Sequence, residues 1–181
     1  MKGVVFTEFL EMVEQKFSAD MVDDIIDAAD LPSGGAYTAV GTYSHEEIVA
    51  LVVALSKRTG AQIPDLLATF GRYLFGRFAV TYPDLVDRSL GAFGFLAGIE
   101  DVIHAEVRKL YPDAQLPTFE VERYDEKELV LIYKSIRHFE DLAEGLIHGC
   151  LMHFGERVCV VRQTQGDGID RAERFVLTRE G

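Results

Sequence analysis

Cysteine is scarce in this chain, with Cys150 and Cys159 the only two in 181 residues. A disulfide-rich framework is excluded by that count. Two thiols could pair, but nothing else suggests export, so we expect reduced thiols and a cytoplasmic location. Long apolar runs are missing as well. None reaches the roughly 18 residues of a membrane-crossing helix. The opening M-K-G-V-V-F-T-E-F has one lysine and meets Glu8 too soon for a signal peptide. Positive charge is short: 18 Lys and Arg face 30 Asp and Glu, a formal net charge of −12. A phosphate-backbone binder is normally basic, and an anionic membrane surface would repel such a chain, so neither nucleic acid nor membrane is an expected partner. Any anion must be held locally. Repeats and low-complexity linkers are absent too. What is present is a 48% hydrophobic fraction, enough for a sizeable core in one domain.

The first half is patterned for helices. V-V-F-T-E-F-L-E-M-V-E-Q-K-F places Val5, Phe9, Met12 and Phe17 near one stripe, with Glu8, Glu11 and Glu14 off it. A second helix is expected over Ala19–Ala29, ended by L-P-S-G-G-A-Y. Ser44 and Glu47 form a capping-box pattern before I-V-A-L-V-V-A-L, with Gly60 as the stop. Pro64 suits the first turn of a helix running to about Tyr82. Further helices are expected near Pro83–Gly91 and Phe93–Leu110. After Pro117 the period changes. T-F-E-V-E-R-Y and L-V-L-I-Y-K-S flank D-E-K-E as a hairpin. H-F-E-D-L-A-E-G-L-I-H-G-C-L-M-H-F returns to helical spacing. R-V-C-V-V-R-Q and R-A-E-R-F-V-L-T, joined through Q-G-D-G, form a second hairpin. The expected class is α+β. A helical lobe over about residues 1–62 packs on a mixed lobe, about 63–181, whose antiparallel sheet has roughly four strands.

Two features carry chemistry. In an extended Y-K-S-I-R, Tyr133, Ser135 and Arg137 emerge on one face about 6–7 Å apart. A phenol, a hydroxyl and a guanidinium in a row can bind an anion with planar oxygens, the guanidinium fork matching a carboxylate. The pentapeptide alone equally describes a strand end with a surface arginine. His104, in G-I-E-D-V-I-H-A-E-V-R-K-L-Y-P, lies on a helix with Phe95, Ile99, Val102 and Ile103 nearby. It reads either as an ordinary hydrogen-bonded helical histidine or as a neutral imidazole able to ligate iron. His148, Cys150 and His153 do not share one helix face, which argues against a closed zinc site. His138, one turn before Leu142, is a lesser ligand candidate.

Taken together, M-K-G-x-x-F, His104, the following Y-P-D-A-Q-L-P and Y-x-S-x-R 29 residues beyond the histidine resemble the H-NOX family, the haem nitric oxide/oxygen-binding domains, in its bacterial stand-alone form. The resemblance spans essentially the whole chain and is similar to the haem domain of soluble guanylate cyclase. It implies haem b (iron protoporphyrin IX) between the two lobes, with His104 as the iron ligand. Tyr133, Ser135 and Arg137 would hold the propionates, and Pro117 would press on the porphyrin. Oxygen-binding relatives carry a distal tyrosine where this chain has Leu142. Val5, Phe9, Leu74, Phe78 and Leu146 are the other expected wall residues, none with a hydrogen-bond donor.

The resemblance therefore implies a sensor for NO, and more weakly CO, that excludes O₂, since O₂ gains most from a distal donor. NO would weaken the bond to His104, its release would shift the lobes, and a separate effector such as a histidine kinase or cyclic-di-GMP enzyme would read the change. No catalytic residues are expected. The rival readings are a haem enzyme, either a peroxidase or an NO-consuming dioxygenase, and a haem-free interaction module.

Overall fold

The computed structural model describes residues 1–168 and 171–180; Ile169, Asp170 and Gly181, at the end of the expected second lobe, lie outside them. The N-terminal half folds as α1 (Gly3–Lys16), α2 (Ala19–Ala28), α3 (His45–Thr59) and α4 (Ile63–Thr81). The local chemistry explains the boundaries. Ser18 caps α2 by accepting from the Met21 N–H at 3.1 Å. Gly60 ends α3 at φ 75°, and Pro64 sits in the first turn of α4. Ser44 caps α3 by accepting from the Glu46 N–H. The expected capping box does not form, because the Glu47 side chain turns inward. It is buried and accepts from the Ser33 N–H, the Ser33 hydroxyl and the Tyr37 phenol, which together satisfy it better than one exposed amide.

Between α4 and the sheet the chain departs from the expected pair of helices. Short 3₁₀ turns at Pro83–Leu85 and Arg88–Leu90 replace the first. The second is split into α5 (Gly91–Ala97), a π-helical turn (Ile99–Ile103) and α6 (His104–Leu110). Gly98 ends α5, and the His104 N–H then bonds back to the Ile99 carbonyl, the wide spacing of a π turn.

The remainder is β1 (Thr118–Tyr124), β2 (Glu128–Lys134), α7 (Glu140–Phe154), β3 (Val158–Gln165) and β4 (Ala172–Arg179). All three pairings are antiparallel, in the order β1-β2-β4-β3. The first hairpin is fixed by Asp125, whose Oδ1 accepts from the N–H groups of Lys127 and Glu128, both at 2.9 Å.

Two apolar cores result. The first joins α1, α2 and α3 and reaches past the expected break near residue 62 into α4, through Leu66, Leu67, Phe70 and Leu74. The second packs α5, α7 and the sheet around Phe93, Leu131, Ile147 and Phe175. The pair α4 and α7 belongs to both. These two helices touch through glycine: a Cβ on Gly71 would collide with the backbone of Leu142, Gly145 and Leu146, and one on Gly145 with the Ala68 backbone. That close seam fixes the height of Leu74 relative to Leu142 and Leu146.

Candidate functional site

A cavity of about 500 Å³ opens between the two apolar cores, bounded by α1, α4, α7, the α5–α6 segment and the start of the sheet. Its volume and mostly apolar lining are those of a small-molecule or cofactor site. Every lining residue supplied by α1, α4 and α7 is aliphatic or phenyl, including Val5, Leu74, Phe78, Leu142 and Leu146. Phe9 is the exception among the expected wall residues. It is fully buried one helical turn beyond Val5, where it meets Phe70 edge-on at 5.2 Å, and it does not line the cavity.

His104 lines the cavity, 8% exposed, at the junction of the π turn and α6. Its Nδ1 lies 3.0 Å from Glu100 Oε2. A carboxylate there selects the tautomer with the proton on Nδ1, which leaves Nε2 with its lone pair. Burial lowers the imidazole's pKa, outweighing the Glu100 carboxylate, which raises it, so the neutral ring is favoured. Glu100 itself is shared. Oε1 accepts from Arg108 Nη2 at 2.5 Å, and Oε2 also accepts from the Phe119 N–H at 3.2 Å. Burial raises the Glu100 carboxyl, yet the bonds from Arg108, His104 and Phe119 prevail and hold it below the usual carboxylate range.

Tyr133, Ser135 and Arg137 all line the cavity, but not as one extended row. The strand ends at Lys134, and the following turn brings the Arg137 N–H onto Ser135 Oγ at 3.2 Å. His138, at φ 53°, then reverses the chain into α7; it is exposed and does not line the cavity. The physical reason is local: the Ser135 hydroxyl accepts the amide two residues on, a turn bond that an extended chain does not make. The chemical outcome is the same three donors. Burial pushes the Tyr133 phenol up to about 12, so it remains protonated. The Ser135 oxygen accepts the Arg137 amide, leaving its hydroxyl proton to donate. The Arg137 guanidinium gives Nη1 to the Gln115 carbonyl and Nη2 to the Gln115 side chain, both at 3.0 Å, with three of its roughly five N–H groups left over. Pro117 lines the cavity immediately before β1.

Sequence reasoning missed three participants. Glu100 was signalled by its place four residues before His104, one helical turn away. Gln115 orients Arg137, and no local pattern announces it. Lys2 binds Asp113 at 2.9 Å and Thr42 at 2.8 Å, with Tyr111 beneath its ammonium at 4.8 Å from the ring centroid, and so ties the start of α1 to the loop after α6. Among the described residues no group of three His, Cys, Asp or Glu side chains converges as a metal cluster, and no helix is long and apolar enough to cross a membrane.

Residues 2–162 match the family model described as Haem-NO-binding. The fold is similar to the Fe(II) unliganded H-NOX protein from K. algicida, at 40% identity and a TM-score of 0.92, covering 100% of this chain and 97% of that one. It is also similar to the H-NOX protein from S. oneidensis in the Fe(II)NO state, at 27% identity and a TM-score of 0.89, covering 99% of this chain and 100% of that one. The IWP-051-bound H-NOX from Shewanella woodyi in the Fe(II)CO state gives 35% identity and a TM-score of 0.83, covering 99% and 95%.

Proposed function

Because this chain belongs to the haem-NO-binding, or H-NOX, family of haem-binding gas sensors, we propose that it senses nitric oxide, excludes O₂ and reports to a separate effector protein. One observation carries this reading: a single apolar cavity joins an imidazole with an uncommitted Nε2 to three donors suited to carboxylates. The residues fit haem b. His104 is the iron ligand, Tyr133, Ser135 and Arg137 hold the propionates, and Pro117 bears on the ring. When bound, the haem would supply a ferrous iron able to take NO or CO, and His104 would be the residue that holds it and that NO loosens.

The chain does the selecting and the switching. Val5, Leu74, Phe78, Leu142 and Leu146 offer no hydrogen-bond donor, so O₂, which depends on one, is disfavoured, while NO is not. The same wall lacks the acid–base groups that a peroxidase or dioxygenase requires, and so favours a non-catalytic role. Release of His104 frees α6, which is tied through its following loop to Lys2 on the helical lobe. NO thus prefers one arrangement of the lobes about 1–62 and 63–181, as a population shift demands. Cys150 and Cys159 are free thiols, in keeping with a cytoplasmic sensor. The effector is a histidine kinase or a cyclic-di-GMP enzyme.

Haem titration tests the assignment. The wild-type chain binds one haem, and His104→Gly binds it only when imidazole is supplied. Retention by His104→Gly without imidazole would overturn the ligand assignment.

A further inference from the structure

The carboxylate of Glu100 sits at a junction that the reading above does not use. It accepts from three donors on two elements: His104 Nδ1 at the head of α6, the Arg108 guanidinium one turn later on the same helix, and the Phe119 N–H at the start of β1. The π turn carries it; its bonds from His104 and Phe119 are partly buried, so water competes weakly for those two, while the bond from Arg108 is exposed. We propose that Glu100 is the positioning residue that orients the His104 imidazole and sets how strongly Nε2 donates. The inference rests on the haem reading.

The physics has a sign. A carboxylate that accepts from one imidazole nitrogen draws its proton away and makes the other nitrogen a stronger base. Arg108 and the Phe119 amide compete for the same negative charge and temper that push. Removing the charge on Glu100 therefore weakens donation from Nε2, and removing Arg108 strengthens it. The amide bond to Phe119 also references the ring to the strand that follows Pro117, so the imidazole is held at a fixed place relative to the cavity floor.

Resonance Raman spectra of the reduced, haem-loaded protein test this through the iron–imidazole stretching mode. Glu100→Gln keeps the shape and an acceptor but loses the charge. Its mode shifts to lower frequency, and a larger share of its NO complex has lost the imidazole bond. Arg108→Gln shifts the mode upward. Opposite shifts from two neighbours that share one carboxylate are not produced by general loosening of α6. An unchanged mode in Glu100→Gln, or shifts of the same direction in both variants, overturns this inference alone. A wild-type protein with no iron–imidazole mode overturns the haem reading and this inference with it.

Discussion

At the scale of single residues, Leu142 bears on selectivity. It is half-buried in the part of the cavity wall that α1, α4 and α7 build from aliphatic and phenyl groups. Leu142→Tyr introduces a donor there, and a hydrogen bond to a charge-bearing acceptor contributes about 1.5–3 kcal/mol. O₂ affinity should rise by about ten- to a hundred-fold, read from equilibrium binding to the reduced protein, with NO binding little altered. No change would place that side chain away from the iron. The two thiols make a second residue-scale prediction. Cys150 is fully buried, and burial pushes its thiol up, whereas Cys159 is exposed. Brief treatment of the native protein with iodoacetamide should label Cys159 and spare Cys150, as mass spectrometry would show; equal labelling would contradict the packing of α7. His104, Tyr133, Ser135 and Arg137 were singled out through a family resemblance, and the structure places all four on one cavity; Glu100, Gln115 and Lys2 were not. Phe9 was misread as a wall residue because the helical stripe it shares with Val5 faces the core along its length, and only one turn of it reaches the cavity.

At the scale of elements, α1 to α4, α7 and the two hairpins followed from period and punctuation; the expected helix near Pro83–Gly91 and the α5–α6 segment did not. Continuous helical spacing from Phe93 to Leu110 hides the break at Gly98 and the π turn after it, because apolar periodicity does not distinguish 3.6 residues per turn from a single wider turn. The Y-x-S-x-R segment shows a second limit: residue spacing identified three donors, but the turn that gathers them depends on where α7 begins. The contact of α4 with α7 is the element-scale feature most open to test. Gly145→Ala forces a methyl group into the Ala68 backbone. Overpacking of this kind costs about 1–3 kcal/mol. Thermal unfolding should report a fall in Tm of about 2–4 °C for each kcal/mol. An unchanged Tm would show that the two helices can part without cost.

At the scale of the whole molecule, the Lys2–Asp113 pair joins the start of α1 to the loop after α6. The Lys2 hydrogen bond holds the Asp113 carboxyl below the ordinary aspartate range. A depressed carboxyl contributes stability above its unfolded value, about 3.9, and loses it as the pH falls through the folded one. Asp113→Asn should therefore unfold at a lower temperature than wild type at pH 7, with the gap closing as the pH drops below about 4. A gap independent of pH would mean that the charge on Asp113 does not hold α1 to the loop after α6. The order of the main helices and the two hairpins was readable from period and punctuation, but this clasp joins residues 111 positions apart and left no local signature. In the proposed function, the cavity holds haem on His104 under a roof that admits NO and rejects O₂. The absorption spectrum of the reduced protein, recorded under argon, in air and with NO, tests that claim most directly. The predicted result is a five-coordinate Soret band that air leaves unchanged and NO shifts. A protein that stays colourless when haem is added, or a band that air converts to an oxygen complex, would contradict it.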